Sequence, residues 1–237
     1  MGRTIVVGDV HGCRAELDAL LDRVAFASGD RLVFVGDLVA RGPDSLGVLD
    51  IARRTGALIV RGNHEDKLLA VRGKLGGAVP IAAASGLQPS HRELIRTLRP
   101  VDWTLLETSP VWLDLKEHDL RVVHGGVVPG IPFEEQDPRT IMRLRTVRVQ
   151  GAARGRSVLW GAYYQGAPHV VFGHNAAPGL QLHKWATGLD TGCVYGGRLT
   201  ALVLAQGQKV PRSIAQRTAL LVSEAARRVY FDFARVA

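Results

Sequence analysis

Short apolar runs alternate with amphipathic stretches over the first 72 residues, and each run ends in a glycine-bearing turn. Residues 3–7 form a compact apolar run that closes on Gly8-Asp9 and is predicted as a strand. Leu17, Leu20, Leu21 and Val24 then recur at helical spacing, so residues 14–25 are predicted as an amphipathic helix. The same alternation continues with a strand at 32–35, a helix over Ser45–Arg54, a strand at 57–60 and a helix at 65–71. This βαβαβα rhythm predicts a largely parallel sheet with right-handed crossovers. Beyond it, residues 73–89 are rich in Gly, Ala and Pro and are expected to form a loop or short lid. Helices are expected at 90–99 and 103–107, and strands at 111–115 and 120–123, turning around Lys116-Glu117-His118-Asp119. A partly helical segment at 138–149 and strands at 170–172, 199–204 and 229–233 complete the pattern.

Composition narrows the class. Hydrophobic residues make up 46% of the 237 and charged residues 22%, which excludes a disordered or low-complexity chain. No apolar run approaches the ~18 residues of a membrane span, and no charged leader precedes the first strand. Two cysteines, Cys13 and Cys193, cannot build a disulfide framework, so a cytoplasmic, reducing setting is expected. With no Ser/Gly/Pro-rich linker and no internal repeat, residues 1–237 are expected to form one domain. The formal net charge is +8, yet the arginines are spread along the chain and form no dense basic arm. A dedicated nucleic-acid partner is therefore not expected. The positive charge suits recruitment of a small polyanion.

The candidate chemistry sits at strand ends. Gly8-Asp9-Val10-His11-Gly12, Gly36-Asp37, Gly62-Asn63-His64-Glu65, His124-Gly125-Gly126 and Gly173-His174-Asn175 each follow an apolar run. In a parallel sheet the carboxyl ends of strands share one edge, where ligands bind. Asp9, His11, Asp37, Asn63, His124 and His174 are thus expected to converge as metal ligands. Taken singly, an Asp there is usually a helix cap and a His a satisfied loop residue; five such blocks together are not independent accidents. Oxygen and imidazole donors without thiolates suit divalent Mn²⁺, with Co²⁺, Fe or Zn²⁺ accepted by the same set.

Together these blocks resemble the calcineurin-like metallophosphoesterases of the phosphoprotein-phosphatase superfamily, from residue 5 to about residue 200. The resemblance implies an α/β (α+β) sandwich of two mixed β-sheets flanked by helices, holding two divalent ions. By position, one ion takes Asp9, His11 and Asp37; the other takes Asp37, Asn63, His124 and His174, with Asp37 bridging. A metal-bound hydroxide supplies the nucleophile in such a centre. Arg41 and Arg143 are implied as the cationic fork for phosphoryl oxygens, and His64 as the acid that protonates the leaving group. Glu65 is expected to brace its turn rather than react.

Position 40 departs from the pattern. Protein phosphatases of the superfamily usually carry Asp before the arginine, where it orients the acid histidine; here the residue is Ala40. A phosphate leaving group, with a final pKa near ~6, tolerates that loss better than a seryl alkoxide does. Residues 38–43, 142–145 and 189–197 further resemble bacterial symmetrical diadenosine-tetraphosphate hydrolases. The implied reaction is cleavage of a phosphoanhydride bond in diadenosine polyphosphates, the tetraphosphate giving two ADP. A Ser/Thr or Tyr phosphoprotein phosphatase is the alternative enzyme, and a catalytically silent nucleotide-binding scaffold the alternative of another class. Trp160, Tyr163 and Tyr164 are candidate platforms for adenine, and Arg145 a candidate phosphate contact.

Overall fold

A computed structural model describes residues 2–74, 87–148 and 157–232. The elements run β1 (Thr4–Val7), α1 (Arg14–Arg23), β2 (Arg31–Phe34), α2 (Ser45–Arg54), β3 (Leu58–Ile59), α3 (Asn63–Lys74), α4 (Pro89–Thr97) and α5 (Pro100–Thr108). They continue with β4 (Trp112–Leu115), β5 (Leu120–Val123), α6 (Pro138–Ile141), β6 (Thr146–Arg148), β7 (Ser157–Leu159), β8 (His169–Phe172), β9 (Gln181–Leu182) and β10 (Ala186–Gly188). The last are β11 (Arg198–Leu204), α7 (Ile214–Thr218) and β12 (Leu221–Ala225).

Two five-stranded mixed sheets, ordered β12-β11-β1-β2-β3 and β4-β5-β8-β10-β9, form a sandwich flanked by helices. The expected parallel sheet exists only in part. β1, β2 and β3 run parallel, whereas β11 joins β1 antiparallel and β12 joins β11 antiparallel. Strand alternation then separates the layers. Ile5, Val7, Leu32 and Phe34 point to α1 and α2, packing with Leu17, Leu20, Val48 and Leu49. Val6 and Val33 point the other way, onto Leu120, Val122 and Val171 of the second sheet. The second sheet's far face is closed by Trp160, Ile141, Val123, Val170 and Phe172.

Several expectations need correcting. No strand forms at 229–232; the edge strand is β12, whose mixed polar sequence hid it. The segment expected to be partly helical is so at Pro138–Ile141, where Asp137 caps α6 through the Thr140 N–H; the helix stops at Met142 and a strand follows at Thr146–Arg148, with residue 149 outside the described residues. Of the loop or lid placed at 73–89, residues 75–86 lie outside the described residues, while α3 already covers 73 and α4 starts at Pro89. No helix of the described residues is long and apolar enough to cross a membrane.

Arg217, fully buried, lies with one guanidinium nitrogen 3.2 Å from His169 Nε2 and donates to the His183 carbonyl; no carboxylate pairs with it among the described residues. Burial and the Arg217 charge pull the His169 pKa down to about 3. The unfolded chain therefore binds a proton on this ring from about pH 6.5, while the folded chain does not until about pH 3. The His169 contribution to stability is fully present above pH 6.5 and is lost as pH falls through that window, at up to about 1.4 kcal/mol per pH unit. Urea midpoints measured from pH 7 to pH 4 are expected to fall less steeply for His169→Gln, which keeps a hydrogen-bond donor toward Thr187. Equal slopes would remove His169 from the acid response.

Candidate active site

The ligands predicted at strand ends come from both sheets, whose strand ends meet at one end of the sandwich, Asp37 reaching His124 and Asp9 reaching His174 across it. Asp9 follows β1, Asp37 follows β2, Asn63 follows β3, His124 follows β5 and His174 follows β8. β5, β8 and β10 run parallel, so their carboxyl ends face the same way. The Gly173 N–H donates to the His124 carbonyl at 2.8 Å, tying two of these turns together. A Cβ on Gly173 would collide with the Asp9 carboxylate, which is why glycine stands there. Among the described residues seven non-glycine positions have positive φ, and five of them (His11, Asp37, Ala40, Arg41 and His174) belong to the turns of this site. Such backbone persists only where its surroundings over-determine it.

Asp37 lies between two groups of imidazoles. Its Oδ2 is 3.5 Å from His11 Nε2, 3.9 Å from His64 Nε2 and 3.3 Å from His124 Nε2. Ligand atoms of His11, Asp37 and His64 cluster within 4.8 Å of one another, as do those of Asp37, His124 and His174. Asp9 joins through both carboxylate oxygens, each 3.1 Å from the His174 N–H, and Asn63 through Oδ1, 3.1 Å from His124 Nε2. All six expected ligands therefore stand in one buried centre. His64 lies within ligating reach as well, beyond its expected part as an acid.

The histidines present one nitrogen each. His11 Nδ1 is 3.1 Å from the Val39 carbonyl and His124 Nδ1 is 3.0 Å from the Val35 carbonyl, and the Arg143 carbonyl bonds the His174 ring. An Nδ1–H committed to a carbonyl leaves the Nε2 lone pair for a cation, as in metal-ligating imidazoles. Arg41 donates to the His11 Nε2 lone pair at 2.8 Å.

Charge at the centre is short of cations. Burial, then the Asp190 charge, pushes the Asp9 carboxyl well above the usual carboxylate range. Against burial, the Asp37, Asp9 and Glu65 charges lift the His124 pKa to about 10. Asp37 itself is held well below the usual range by His124, His64 and His11, despite its burial. The donor set fits divalent ions. Buried carboxylates and imidazoles crowded this closely, with the Asp9 carboxyl pushed up by burial, leave a place for the positive charge that a divalent cation would bring.

Glu65, fully buried, accepts the backbone N–H groups of Asp37, Leu38, Val39 and Gly62 at 2.8–3.3 Å. It braces the second and third turns together. Burial and the Asp37 charge push its pKa up to about 7.

A cleft of about 180 Å³ opens over this centre, lined by Asp37, Arg41, Asn63, His64, Arg145, His174, Asp190 and Tyr195 among others. Arg41 and Arg145 thus lie where they were expected. Arg143 does not line the cleft: its guanidinium pairs with Asp66 on α3 at 2.9 Å. The aromatic candidates also fall elsewhere. Trp160 is buried against Phe172, its indole N–H bonded to the Gly125 carbonyl; Tyr164 packs on it and donates to the Pro168 carbonyl; Tyr163 is exposed. The aromatic side chain that lines the cleft is Tyr195. Asp190 was also missed. It follows β10 at the same edge, but without the Gly-His punctuation of the other blocks, and burial raises its pKa to about 6.

His64 has no carboxylate beside it other than Asp37. Ala40 offers none, and Asp44 caps α2 through the Gly47 N–H while pairing with Arg14. The His64 ring packs edge-on to His11, centroids 4.8 Å apart, and is stacked on His91 of α4 at 4.9 Å; its Nδ1 has no hydrogen-bond partner.

Comparison with known proteins places this arrangement. The pattern of the calcineurin-like phosphoesterase family matches residues 2–206. Bis(5'-nucleosyl)-tetraphosphatase PrpE (asymmetrical) of Geobacillus thermodenitrificans (strain NG80-2) is 31% identical over 221 residues, covering 83% of this chain and 88% of the relative. The protein of the same name from Halalkalibacterium halodurans is 32% identical over 226 residues, with the same coverage. A solved structure described as "Crystal structure of a putative diadenosine tetraphosphatase" superposes with a TM-score of 0.76 at 35% identity, covering 95% of this chain and 94% of its own. A protein serine/threonine phosphatase from Saccharomyces cerevisiae shares the fold, at TM-score 0.55 and 15% identity over 96% of this chain and 80% of its own. With the buried centre at one end of the sandwich and the family pattern running from residue 2 to residue 206, the chain belongs to the calcineurin-like phosphoesterases.

Proposed function

We propose that the protein hydrolyses a phosphoanhydride bond of dinucleoside tetraphosphates, using two divalent ions held by Asp9, His11, Asp37, Asn63, His124 and His174. When bound, such ions supply an activated water and neutralise phosphate charge. The chain's own groups do the rest. Asp37 stands between the two ligand groups, and the carbonyl contacts of His11, His124 and His174 keep one ring nitrogen of each turned inward. Arg41 and Arg145 line the cleft and offer N–H edges to the non-bridging phosphate oxygens. His64, on the cleft wall, has a pKa that burial holds well below the usual histidine value, and it offers its ring N–H to the departing oxygen as a hydrogen-bond donor. Mn²⁺ is the expected ion, and the donor set accepts Co²⁺, Fe or Zn²⁺.

The observation that carries the choice of substrate is the setting of His64. With alanine at position 40 and no partner on Nδ1 among the described residues, this ring is held by its contacts with His11 and His91 and by Asp37 at 3.9 Å from Nε2. An acid so weakly oriented suits a nucleotide leaving group, whose phosphate needs little protonation, better than a seryl alkoxide. The position of cleavage is drawn from similarity. The motif segments at 38–43 and 189–197 favour the central bond and two ADP. The relatives named asymmetrical match over 83% of the chain rather than over short segments, so asymmetrical cleavage to ATP and AMP is the product pattern proposed. Metal-depleted protein is incubated with Mn²⁺ or Co²⁺ and diadenosine tetraphosphate, with a phosphoserine peptide in parallel, and products are separated by anion exchange. Equal early ATP and AMP support the proposal. ADP alone overturns the asymmetrical position and restores the symmetrical one. Fast peptide dephosphorylation beside an untouched dinucleotide makes the protein a phosphoprotein phosphatase.

A further inference from the structure

The family pattern stops at residue 206, but the chain returns to the cleft after it. β12 pairs with β11, Arg198 opposite Ala225, and the backbone then continues as an irregular strap over 226–232. The strap is tied down along its length. The Ala226 N–H donates to the Gly197 carbonyl, and the Tyr230 and Phe231 N–H groups both donate to the Val194 carbonyl at 3.0 and 2.9 Å. The Arg227 N–H and the Tyr230 hydroxyl donate to one oxygen of Glu16, a buried carboxylate on α1, at 2.9 and 2.7 Å. These bonds set the strap against the turn that carries Tyr195.

That placement brings two aromatic rings to one guanidinium. Arg41 Cζ lies 5.5 Å from the centroid of Tyr195 and 5.6 Å from that of Phe231, with the two rings 6.3 Å apart and inclined at 68°. Both distances fall within cation–π range, and all three side chains are half-buried. The Arg41 backbone is already fixed in the left-handed region, φ 70°, directly after Ala40 at 69°. The long Arg41 side chain has several rotatable bonds, and one guanidinium nitrogen lies 2.8 Å from His11 Nε2, a ring nitrogen that a bound ion would claim. Rings engage the flat face of a guanidinium, whereas phosphate is bound along its N–H edge, so the two contacts do not compete.

We propose that Tyr195 and Phe231 are positioning residues that hold Arg41 over the cleft, making the C-terminal strap part of the phosphate-binding site. This rests on the reading of the cleft as a phosphate site, and not on which phosphate compound is cleaved. The test uses the full chain loaded with Mn²⁺ and inorganic phosphate as the probe, by calorimetry, alongside kinetics on diadenosine tetraphosphate. Phe231→Leu and Tyr195→Leu are each expected to weaken phosphate binding about five- to tenfold. The kinetic loss is expected in KM rather than kcat, and Phe231→Tyr is expected to restore affinity. In an Arg41→Ala background, Phe231→Leu is expected to add no further loss, an outcome that a purely structural strap would not produce. Phosphate binding that is unchanged in both leucine variants overturns the proposal, as does an undiminished second loss in the Arg41→Ala background. If phosphate affinity follows Phe231 while the dinucleotide is left intact, the positioning role holds and only the proposed substrate fails. If the dinucleotide is cleaved normally by both leucine variants with unchanged phosphate affinity, the reverse is true.

Discussion

Asp37→Asn is expected to lower kcat by at least about 10³-fold and to strip the protein of most of its bound divalent metal. The substitution is close to isosteric, and the asparagine oxygen can still accept the His64 backbone N–H now bonded at 2.9 Å to Asp37 Oδ1. What it removes is the one negative charge shared by the two imidazole groups, His11 with His64 and His124 with His174. Without that charge, His124 loses the main attraction that lifts its pKa, and neither group of donors retains a carboxylate from this turn. Metal content by inductively coupled plasma spectrometry, together with turnover at saturating Mn²⁺, checks the prediction. A variant that keeps both its metal and its turnover would show that Asp37 does not bridge the centre.

Glu65→Ala is expected to abolish stable folding, and Glu65→Gln to cost about 3 kcal/mol. The carboxylate accepts four buried backbone N–H groups from two separate turns, and a methyl group would leave all four unpartnered. Each orphaned N–H costs about 1–3 kcal/mol, which together rivals the ~5–15 kcal/mol total stability of a domain. Glutamine keeps one acceptor but turns an NH₂ toward the other donors, so its melting temperature should fall by roughly 6–12 °C. Thermal melts of the metal-free proteins decide this: a wild-type midpoint for Glu65→Ala would mean that the turns hold without their brace. Metal content distinguishes this effect from that of Asp37, because Glu65→Gln meets Asp37 only at its backbone N–H, removes no donor atom of the centre, and should still bind Mn²⁺ at low temperature.

The legible part of the chain was its strand-end punctuation. Gly8-Asp9, Gly36-Asp37, Gly62-Asn63, His124-Gly125 and Gly173-His174 each come at the end of a short, largely apolar run, and such patterns are local. Their convergence within each sheet followed from a general property of parallel strands. The short elements were not legible. β9 and β10 have two and three residues, too few to show a period, and β12 mixes Ser and Glu with its apolar positions because it is an edge strand. Asp190 escaped notice for the same reason: the strand before it is too short to announce its own end.

Side-chain destinations needed the folded chain. Trp160 and Tyr164 carry the chemistry of a base platform, yet Trp160 fills the space left by Gly126, where a Cβ would strike the indole, and Tyr164 packs against it. Phe231 meets Arg41 because the strap is bonded to Gly197, to Val194 and to Glu16, the last more than 200 residues earlier in the chain. Arg41 and Arg143 are chemically identical, but one faces the cleft and the other is drawn out to Asp66. The sequence by itself determined the donor atoms and the strand ends that bear them, since residue type and short-range periodicity are properties of a few neighbouring residues. Tertiary packing decided which ring nitrogen turns inward, which arginine and which aromatic ring reach the cleft, and that Asp37 stands between two groups of histidines. Those outcomes depend on contacts between segments far apart in the chain, which no local pattern encodes.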